Sequence, residues 1–237
     1  MEPAFGAARY ASREWPARSV LAELPIELRT AFLRLGRLRC YARDEVIIAE
    51  NATSTNVYVI LSGFVRVLNH ASSGDVTVIA LRTVGELVGE LAAMDGRPRA
   101  STVIAANRIF AMTIDARLFR SFIADNPMAG EVIMRSVVSK LRTATRYRVE
   151  TGRASILTRV ARVLDHLGEG HGRAVASGLL IDVPLPQRDL AALVGTSEKS
   201  ISRAYARLEH EGVIEVSYRR IVILDLQLLR QHAHDMG

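Results

Sequence analysis

The chain has one cysteine in 237 residues, Cys40. A single thiol closes no internal disulfide and cannot by itself hold an iron–sulfur cluster or a thiolate zinc site. Long apolar runs are also missing: none reaches the roughly 18 to 20 residues that span a bilayer. The segment from Met1 to Ser19 carries Arg9, Glu14 and Trp15 and lacks the continuous apolar stretch of a secretory signal. There is no Walker loop, no nucleophile elbow and no His/Glu pair at metal-ligand spacing. His70, His166, His171, His210, His232 and His234 form no recognisable ligand constellation. The absences point to a soluble, cytoplasmic protein with no membrane partner, no metal site and no enzymatic activity.

Hydrophobic residues make up 49% of the chain, ample for a core. The net charge is +6, with a pI of about 10.0. It is unevenly placed: from Lys140 to Gly237 there are 15 Lys and Arg against 11 Asp and Glu, which leaves +4 of the +6 there. A basic C-terminal part without a basic amphipathic, aromatic-faced helix favours nucleic acid over membrane as the polyanionic partner, although a generally basic soluble protein would look the same.

The hydrophobic period changes twice. Residues 1–18 read as a loosely tied leader, and 20–39 have helical spacing interrupted at Pro25. Short β-rich runs follow: Glu45–Ile48, Val57–Leu61, Phe64–Leu68, Val76–Leu81, Ser101–Ala105 and Ile109–Ile114. Turn residues at Ser62-Gly63, 72–75 and 95–98 separate them, as in a small antiparallel barrel or sandwich. Asp125-Asn126-Pro127 is a helix start, with Asn126 as cap and Pro127 at the first helical position. Nothing breaks the helix until about Gly152, a length of roughly 36 Å. Met134, Val137, Val138, Leu141, Ala144 and Thr145 form a narrow seam between Arg135, Arg142, Arg146 and Arg148. Such a seam pairs with a copy of itself or packs on the β-domain. Gly152 and Arg153 read as a hinge. Beyond them come a helix (Ile156–Leu167), a Gly-rich turn, a β segment (Leu179–Val183), two helices and a terminal hairpin. The expected class is α+β: an antiparallel β-domain over 19–125, a long helix over 126–152 and a mainly helical domain over 153–237.

Residues 89–103 carry the chemistry of the first part. Gly89 lets backbone approach a ligand closely, and Glu90 can accept from sugar hydroxyls. The N–H groups at Leu91 and Ala92 can open a short helix toward an anion. Arg99 offers a planar fork suited to phosphate, with hydroxyls at Ser101 and Thr102. A Glu and an Arg separated by a turn can hold opposite ends of a ribose phosphate; the spacing alone fits an ordinary surface ion pair equally well.

The segment Gly89-Glu-Leu-Ala through Pro98-Arg-Ala-Ser-Thr-Val103 resembles the phosphate-binding cassette of cyclic-nucleotide-binding domains over fifteen consecutive positions. The resemblance implies that Glu90 takes the ribose 2′-hydroxyl and Arg99 the cyclic phosphate, with backbone at Leu91 and Ala100 assisting. Tyr58 to Gly63 is similar to the family's preceding hairpin. Glu50-Asn51 stands where such domains often have Glu-Gly, and Asn tolerates the left-handed region. In bacterial activators of this family a Thr-Ser pair on the long helix meets the base; the matching positions are Ala144 and Thr145, so one hydroxyl is lost. Ala100, directly after Arg99, is the adenine-type choice, which favours cAMP over cGMP as effector.

In the C-terminal part, Gln187 as the first position of a helix-turn-helix puts Ala191 at five, Gly195 at nine and Ile201 at fifteen. A small residue lets the helices approach, glycine makes the turn, and isoleucine with Leu190 and Val194 fills the space between them. Ser197 can cap the second helix. Arg188, Ser197, Lys199, Ser200, Ser202, Arg203 and Arg207 are its candidate DNA contacts. A following hairpin, turning at Ser217–Arg220, would present Arg219 and Arg220 to phosphate. Spacing of this kind also occurs in helix pairs packed for structure alone. The run Thr196 to Arg203 resembles the recognition helix of Crp/Fnr regulators, which implies that Arg203 reads a guanine. Lys199 departs from the usual Glu, which accepts from cytosine; lysine cannot accept, so the half-site preference should change there.

The two resemblances, in this order, cover about residues 20–225. They imply an N-terminal antiparallel β-roll that binds cyclic nucleotide (19–125), a dimerisation helix (126–152) and a C-terminal winged helix-turn-helix (153–237), in a homodimeric transcriptional regulator responsive to cAMP that binds double-stranded DNA and works with RNA polymerase. The alternative in the same class is a regulator with another effector, cGMP or haem, or with none.

Overall fold

The computed structural model describes residues 10, 12–70, 76–150, 154–181, 186–217 and 220–234, with side chains undescribed at 70, 145–150, 170 and 171. Its residues divide into two units, Met1–Leu141 and Arg142–Gly237.

The first unit opens with α1 (Val20–Glu23) and α2 (Ile26–Arg34), followed by β1 (Arg37–Tyr41), β2 (Val46–Ile48), β3 (Val57–Ser62), β4 (Phe64–His70), β5 (Val76–Thr83) and β6 (Leu87–Val88). The short α3 (Glu90–Asp95), β7 (Thr102–Ala105), β8 (Ile109–Ile114), α4 (Ala116–Asp125) and α5 (Pro127–Glu150) complete it, α5 continuing into the second unit. Two four-stranded antiparallel sheets form, in the orders β1-β8-β3-β6 and β2-β7-β4-β5. All six strands read from the sequence are present.

The pattern on β3 shows how the unit is layered. Val57, Tyr58, Val59, Ile60 and Leu61 are all buried because both faces of that strand are covered. Tyr58 and Ile60 join Tyr41, Ile48, Val65, Val88, Val103, Ala105, Ile109 and Ala111 in a cluster drawn from both sheets. Val57, Val59 and Leu61 join Phe32, Phe119, Phe122, Val132 and Ile133 in a second cluster shared with the helices. Period-two alternation thus sends one set of side chains between the sheets and the other beneath the helices.

Three expectations change in this unit. The leader is not loose where it is described: Trp15 is 9% exposed within the helical cluster, and Arg13 Nη1 donates to Leu61 O at 2.9 Å. Helical spacing ends at Arg34, and 37–41 form β1, whose outward residues left little alternation to read. Asn126 does not cap α5 through its side chain; Nδ2 turns back to Phe122 O at 2.9 Å, so Asn126 closes α4 while Pro127 opens α5.

The second unit holds α6 (Ile156–His171), β9 (Gly172–Val175), β10 (Gly178–Ile181), α7 (Gln187–Val194), α8 (Glu198–His210), β11 (Ile214–Ser217), β12 (Arg220–Ile223) and α9 (Leu226–His234). Its sheet has the order β11-β12-β10-β9. The expected Gly-rich turn is not one: α6 runs through Gly168 to His171, and β9 follows at once. The chain also does not end on the hairpin. In α9, Arg230 meets Asp165 at 3.0 Å and Glu169 at 2.9 Å on α6. The expected hinge at Gly152 and Arg153 lies outside the described residues.

Among the described residues, no helix is long and apolar enough to cross a membrane, and no group of three His, Cys, Asp or Glu is placed to hold a metal ion.

Candidate nucleotide site and nucleic-acid interface

Gly89 stands between β6 and α3 at φ +84, a left-handed position that glycine adopts without strain. A Cβ there would fall 2.6 Å from Arg99 Nη1 and 2.8 Å from Asn56 O. The close approach is what lets Arg99 reach back: Nη1 donates to Gly89 O at 2.8 Å, Nη2 to Asn56 O at 2.7 Å and Nε to Ser54 Oγ at 3.2 Å. Its backbone is held as well, N to Ala52 O and O to Asn51 N, both at 2.9 Å. Asn51 itself takes φ +63, as its place in the turn requires. Arg99 is 2% exposed. Burial pulls its guanidinium below the ordinary value, with Tyr58 and Glu90 opposing. Three of its five donors are engaged in these bonds, so Arg99 is both a cation at the site and a tie between three segments.

Glu90 is 5% exposed. Its partner is Lys140 on α5, whose Nζ donates to Glu90 Oε1 and to Leu87 O, both at 2.8 Å. Burial alone would raise the carboxyl pKa, but the charge and hydrogen bond of Lys140 outweigh it and hold the group below its usual 4.5. Glu90 is therefore an ionised acceptor, fixed by the same helix that carries the expected dimer seam.

Leu91 and Ala100 are exposed at the edges of the cassette. Ser101 Oγ and the Asn69 amide lie 2.6 Å apart. Thr102 is not turned to the cassette mouth, contrary to expectation: its Oγ1 accepts from Glu50 N at 3.1 Å and so steadies the Glu50–Asn51 turn. Thr145 lies in α5, its side chain outside the described ones. Lys140 and Asn69 were missed in the sequence. Lys140 is fifty positions from Glu90 and sits in an Arg-rich helix, where it reads as one more solvated cation. Met134, Val138 and Leu141 are 50%, 38% and 65% exposed, whereas Ala129, Val132 and Ile133 on the same helix join the core.

In the second unit, α7 ends at Gly195, φ +69, whose N–H reaches back to Ala191 and Ala192 O; this is the turn expected of glycine. Arg159 Nη1 donates to Val194 O at 2.8 Å, satisfying a carbonyl at that helix end. Leu190, Ala191, Val194, Ile201, Ala204 and Leu208 are buried. Ser197 caps α8 by accepting from Ser200 N, so its hydroxyl is partly committed. Arg188, Lys199, Ser202 and Arg203 are exposed on α7 and α8, while Ser200 is half-buried. Ser202 Oγ donates to Gln187 Oε1 at 2.8 Å. Arg207 is tied to Glu211 at 2.9 Å. Arg220 is exposed on β12; Arg219 lies outside the described residues.

Residues 38–126 match the family model of the cyclic nucleotide-binding domain, and 158–232 that of the Crp-like helix-turn-helix domain. The chain is 27% identical over 193 residues to the CRP-like cAMP-activated global transcriptional regulator of Mycobacterium tuberculosis, covering 81% of this chain and 86% of that one. It is 28% identical over 199 residues to the nitrogen fixation regulation protein FixK of Bradyrhizobium diazoefficiens, covering 82% and 81%. Its fold is similar to the solved structure of FixK2 from Bradyrhizobium japonicum, with a TM-score of 0.73, 21% identity, and coverage of 85% of this chain and 99% of that one. A cyclic-nucleotide-binding domain followed by a helix-turn-helix of this kind defines a DNA-binding transcriptional regulator. The chain belongs to the Crp/Fnr family.

Proposed function

We propose that the protein is a cytoplasmic homodimer that binds cAMP through Glu90 and Arg99, and in that state binds specific sites in double-stranded DNA and engages RNA polymerase. The observation that carries this reading is the convergence at Gly89. A buried guanidinium approaches the backbone as closely as a missing Cβ allows, while the next residue is an ionised carboxylate. Arg99 would hold the cyclic phosphate with its remaining N–H donors, and Glu90 would accept from the ribose hydroxyl. Backbone at Leu91 and Ala100, with Ser101 beside them, would complete the cradle, and Thr145 would face the base. The mycobacterial relative's cAMP activation and the small Ala100 support cAMP over cGMP.

Coupling would run through Lys140. It holds Glu90 from α5, and α5 offers Met134, Val138 and Leu141 as an apolar seam for a second copy. A ligand that draws on Glu90 therefore acts on the helix that joins the protomers, shifting the population toward a DNA-competent state. Residues 19–125, 126–152 and 153–237 are the sensing, dimerising and DNA-reading parts in this scheme. Arg203 would read a base, Lys199 would alter the half-site, and Arg188, Ser197, Ser200, Ser202 and Arg207 would contact the duplex around them. Arg207 must first leave Glu211.

Isothermal titration with cAMP and with cGMP, on the wild type and on Arg99→Gln, tests the effector. Heat with cAMP that vanishes in Arg99→Gln supports the reading. Absence of heat with either nucleotide overturns it in favour of a regulator with another effector or none.

A further inference from the structure

A cluster of apolar side chains drawn from both sheets packs between them. On β4 and β7 the lining can be followed residue by residue. The strands pair antiparallel in the register Val65↔Ala105, Arg66↔Ile104, Val67↔Val103 and Leu68↔Thr102. Val65, Val103 and Ala105 are buried in the inter-sheet cluster, and Val67 packs against it. Alternation along β4 then assigns Asn69 to the row of Val65 and Val67, and Ser101 is the bend residue just before β7. Just beyond the last pair, Leu68↔Thr102, the side chains of Asn69 and Ser101 meet at 2.6 Å. A polar pair thus replaces apolar lining at one end of the inner face, two residues along the chain from Arg99.

The surroundings of the amide fix which way it points. Ser101 Oγ lies 2.6 Å, Leu68 O 3.1 Å and Ala100 O 3.3 Å from the amide atom that faces them. All three are oxygens, and the two carbonyls can only accept, so that atom is Nδ2 and the carbonyl oxygen Oδ1 is turned away from them. Nδ2 has its acceptors within the protein. Oδ1 has none among these three, and in this orientation the Ser101 hydroxyl proton is free to donate elsewhere. Asn69 and Ser101 are both half-buried, so this end of the inner face is not closed off from solvent as the apolar cluster is.

We propose that Asn69, oriented by Ser101 and Ala100 O, is the specificity-determining residue for the base, its Oδ1 accepting from the exocyclic amino group of a cyclic purine nucleotide. The proposal rests on the nucleotide reading of Glu90 and Arg99 and adds to it what those residues leave unread. They bind ribose and phosphate, which every cyclic nucleotide shares. Ala100 and Ser101 form a bend between Arg99 and β7, so the pair stands next to the phosphate anchor, where the base of an anchored nucleotide would extend. Ala100 offers no hydroxyl to a base, and Asn69 supplies the polar contact instead. Adenine and guanine both carry an exocyclic amine, so the shared chemistry is the amine, and the nucleotides used in the test separate the two.

Binding of four nucleotides to the full chain, by titration calorimetry or competition, tests this. The four are cAMP, the cyclic monophosphate of purine riboside (cAMP without its amine), cGMP and cyclic inosine monophosphate (cGMP without its amine). The wild type should prefer the amine-bearing member of one pair by about tenfold or more, as when an acceptor in a binding site loses its donor. Asn69→Val should bring that pair within about threefold, mainly by weakening the amine-bearing member. Ser101→Ala, which removes one anchor of the amide while leaving Asn69 in place, should narrow the preference in part. The pair that shows the preference identifies adenine or guanine. If the wild type binds both members of each pair equally and still depends on Arg99, the assignment of Asn69 is overturned and the phosphate site stands. An Asn69→Val protein that keeps the wild-type preference overturns the assignment in the same way. If none of the four binds, both fail.

Discussion

Lys140 Nζ lies 2.8 Å from Glu90 Oε1, so an ionised carboxylate at the mouth of the cassette is neutralised from the helix that leads out of the sensing domain. The pair is buried enough that neither member is easily lost: the side chains are 17% and 6% exposed. Breaking one partner of such a pair strands the other and is strongly destabilising. In the proposed reading a ligand hydroxyl at Glu90 would share the carboxylate with Lys140, and occupancy of the site would thereby act on α5.

The first prediction concerns acid. Glu90 in the folded protein titrates below its usual 4.5, burial being outweighed by Lys140. Because the folded value is depressed, the stabilisation is fully present above the unfolded pKa and is lost as pH falls through the folded one. In Lys140→Met the main counterweight to burial is gone, only the backbone hydrogen bond and Arg82 still opposing it, so the carboxyl pKa should rise. Urea unfolding between pH 3 and 7 should therefore show the variant about 3 kcal/mol less stable near neutrality. Much of the wild-type advantage should disappear toward pH 3. Parallel profiles for the two proteins would exclude the pair as the source.

Arg99 should be structural as well as ligand-binding. Its bonds to Gly89 O, Asn56 O and Ser54 Oγ join the cassette to the loop before β3, so Arg99→Ala is expected to lower stability by about 2–4 kcal/mol in the absence of nucleotide. Burial of the guanidinium, 2% exposed, is what gives these bonds their weight. Gly89→Ala should have a similar effect for a different reason, its new methyl meeting Arg99 Nη1 and Asn56 O at left-handed φ. Thermal melts of both without ligand are the check, and wild-type melting in either would contradict the role assigned to it.

Leu141→Glu puts a charge in the seam at a position that is 65% exposed within one chain. If a second copy covers that seam, sedimentation should show monomer at concentrations where the wild type is dimeric, with DNA affinity falling and the melting of the sensing domain little changed. A variant that remains dimeric would place the dimer contact elsewhere.

At the DNA interface, Lys199 and Arg203 are exposed on α8. Arg203→Ala should cost about 1–3 kcal/mol and relax specificity at one base pair. In a half-site library, Lys199→Glu should change the preferred base at one position, because glutamate accepts where lysine can only donate. An optimum identical in the two proteins would remove Lys199 from base reading.

Much of this was legible in the sequence, and the exceptions share a cause. The strands β3, β4, β5, β7 and β8 announce themselves because inward and outward residues alternate or both faces are buried, whereas the two residues of β6 are too short a run to show a period. The cassette is a contiguous run, and Gly195 marks its turn by conformation alone. What was missed depends on partners distant in sequence. β1 gives no alternation because only Tyr41 of its five residues is buried, and Trp15 looks like leader until the core closes over it. Lys140 becomes informative only against Glu90, and Asn69 only against Ser101. Thr102 looks like a ligand hydroxyl until the turn at Glu50 is seen beside it.

The most direct test is the affinity of the full chain for a selected DNA duplex, measured by fluorescence anisotropy with and without saturating cAMP over a series of salt concentrations. Ligand-gated binding predicts at least about tenfold tighter association with cAMP at every salt concentration, a gain absent in Arg99→Gln. Equal affinity with and without the nucleotide, in a wild-type protein shown by titration to bind it, would contradict the coupling of the β-roll to DNA.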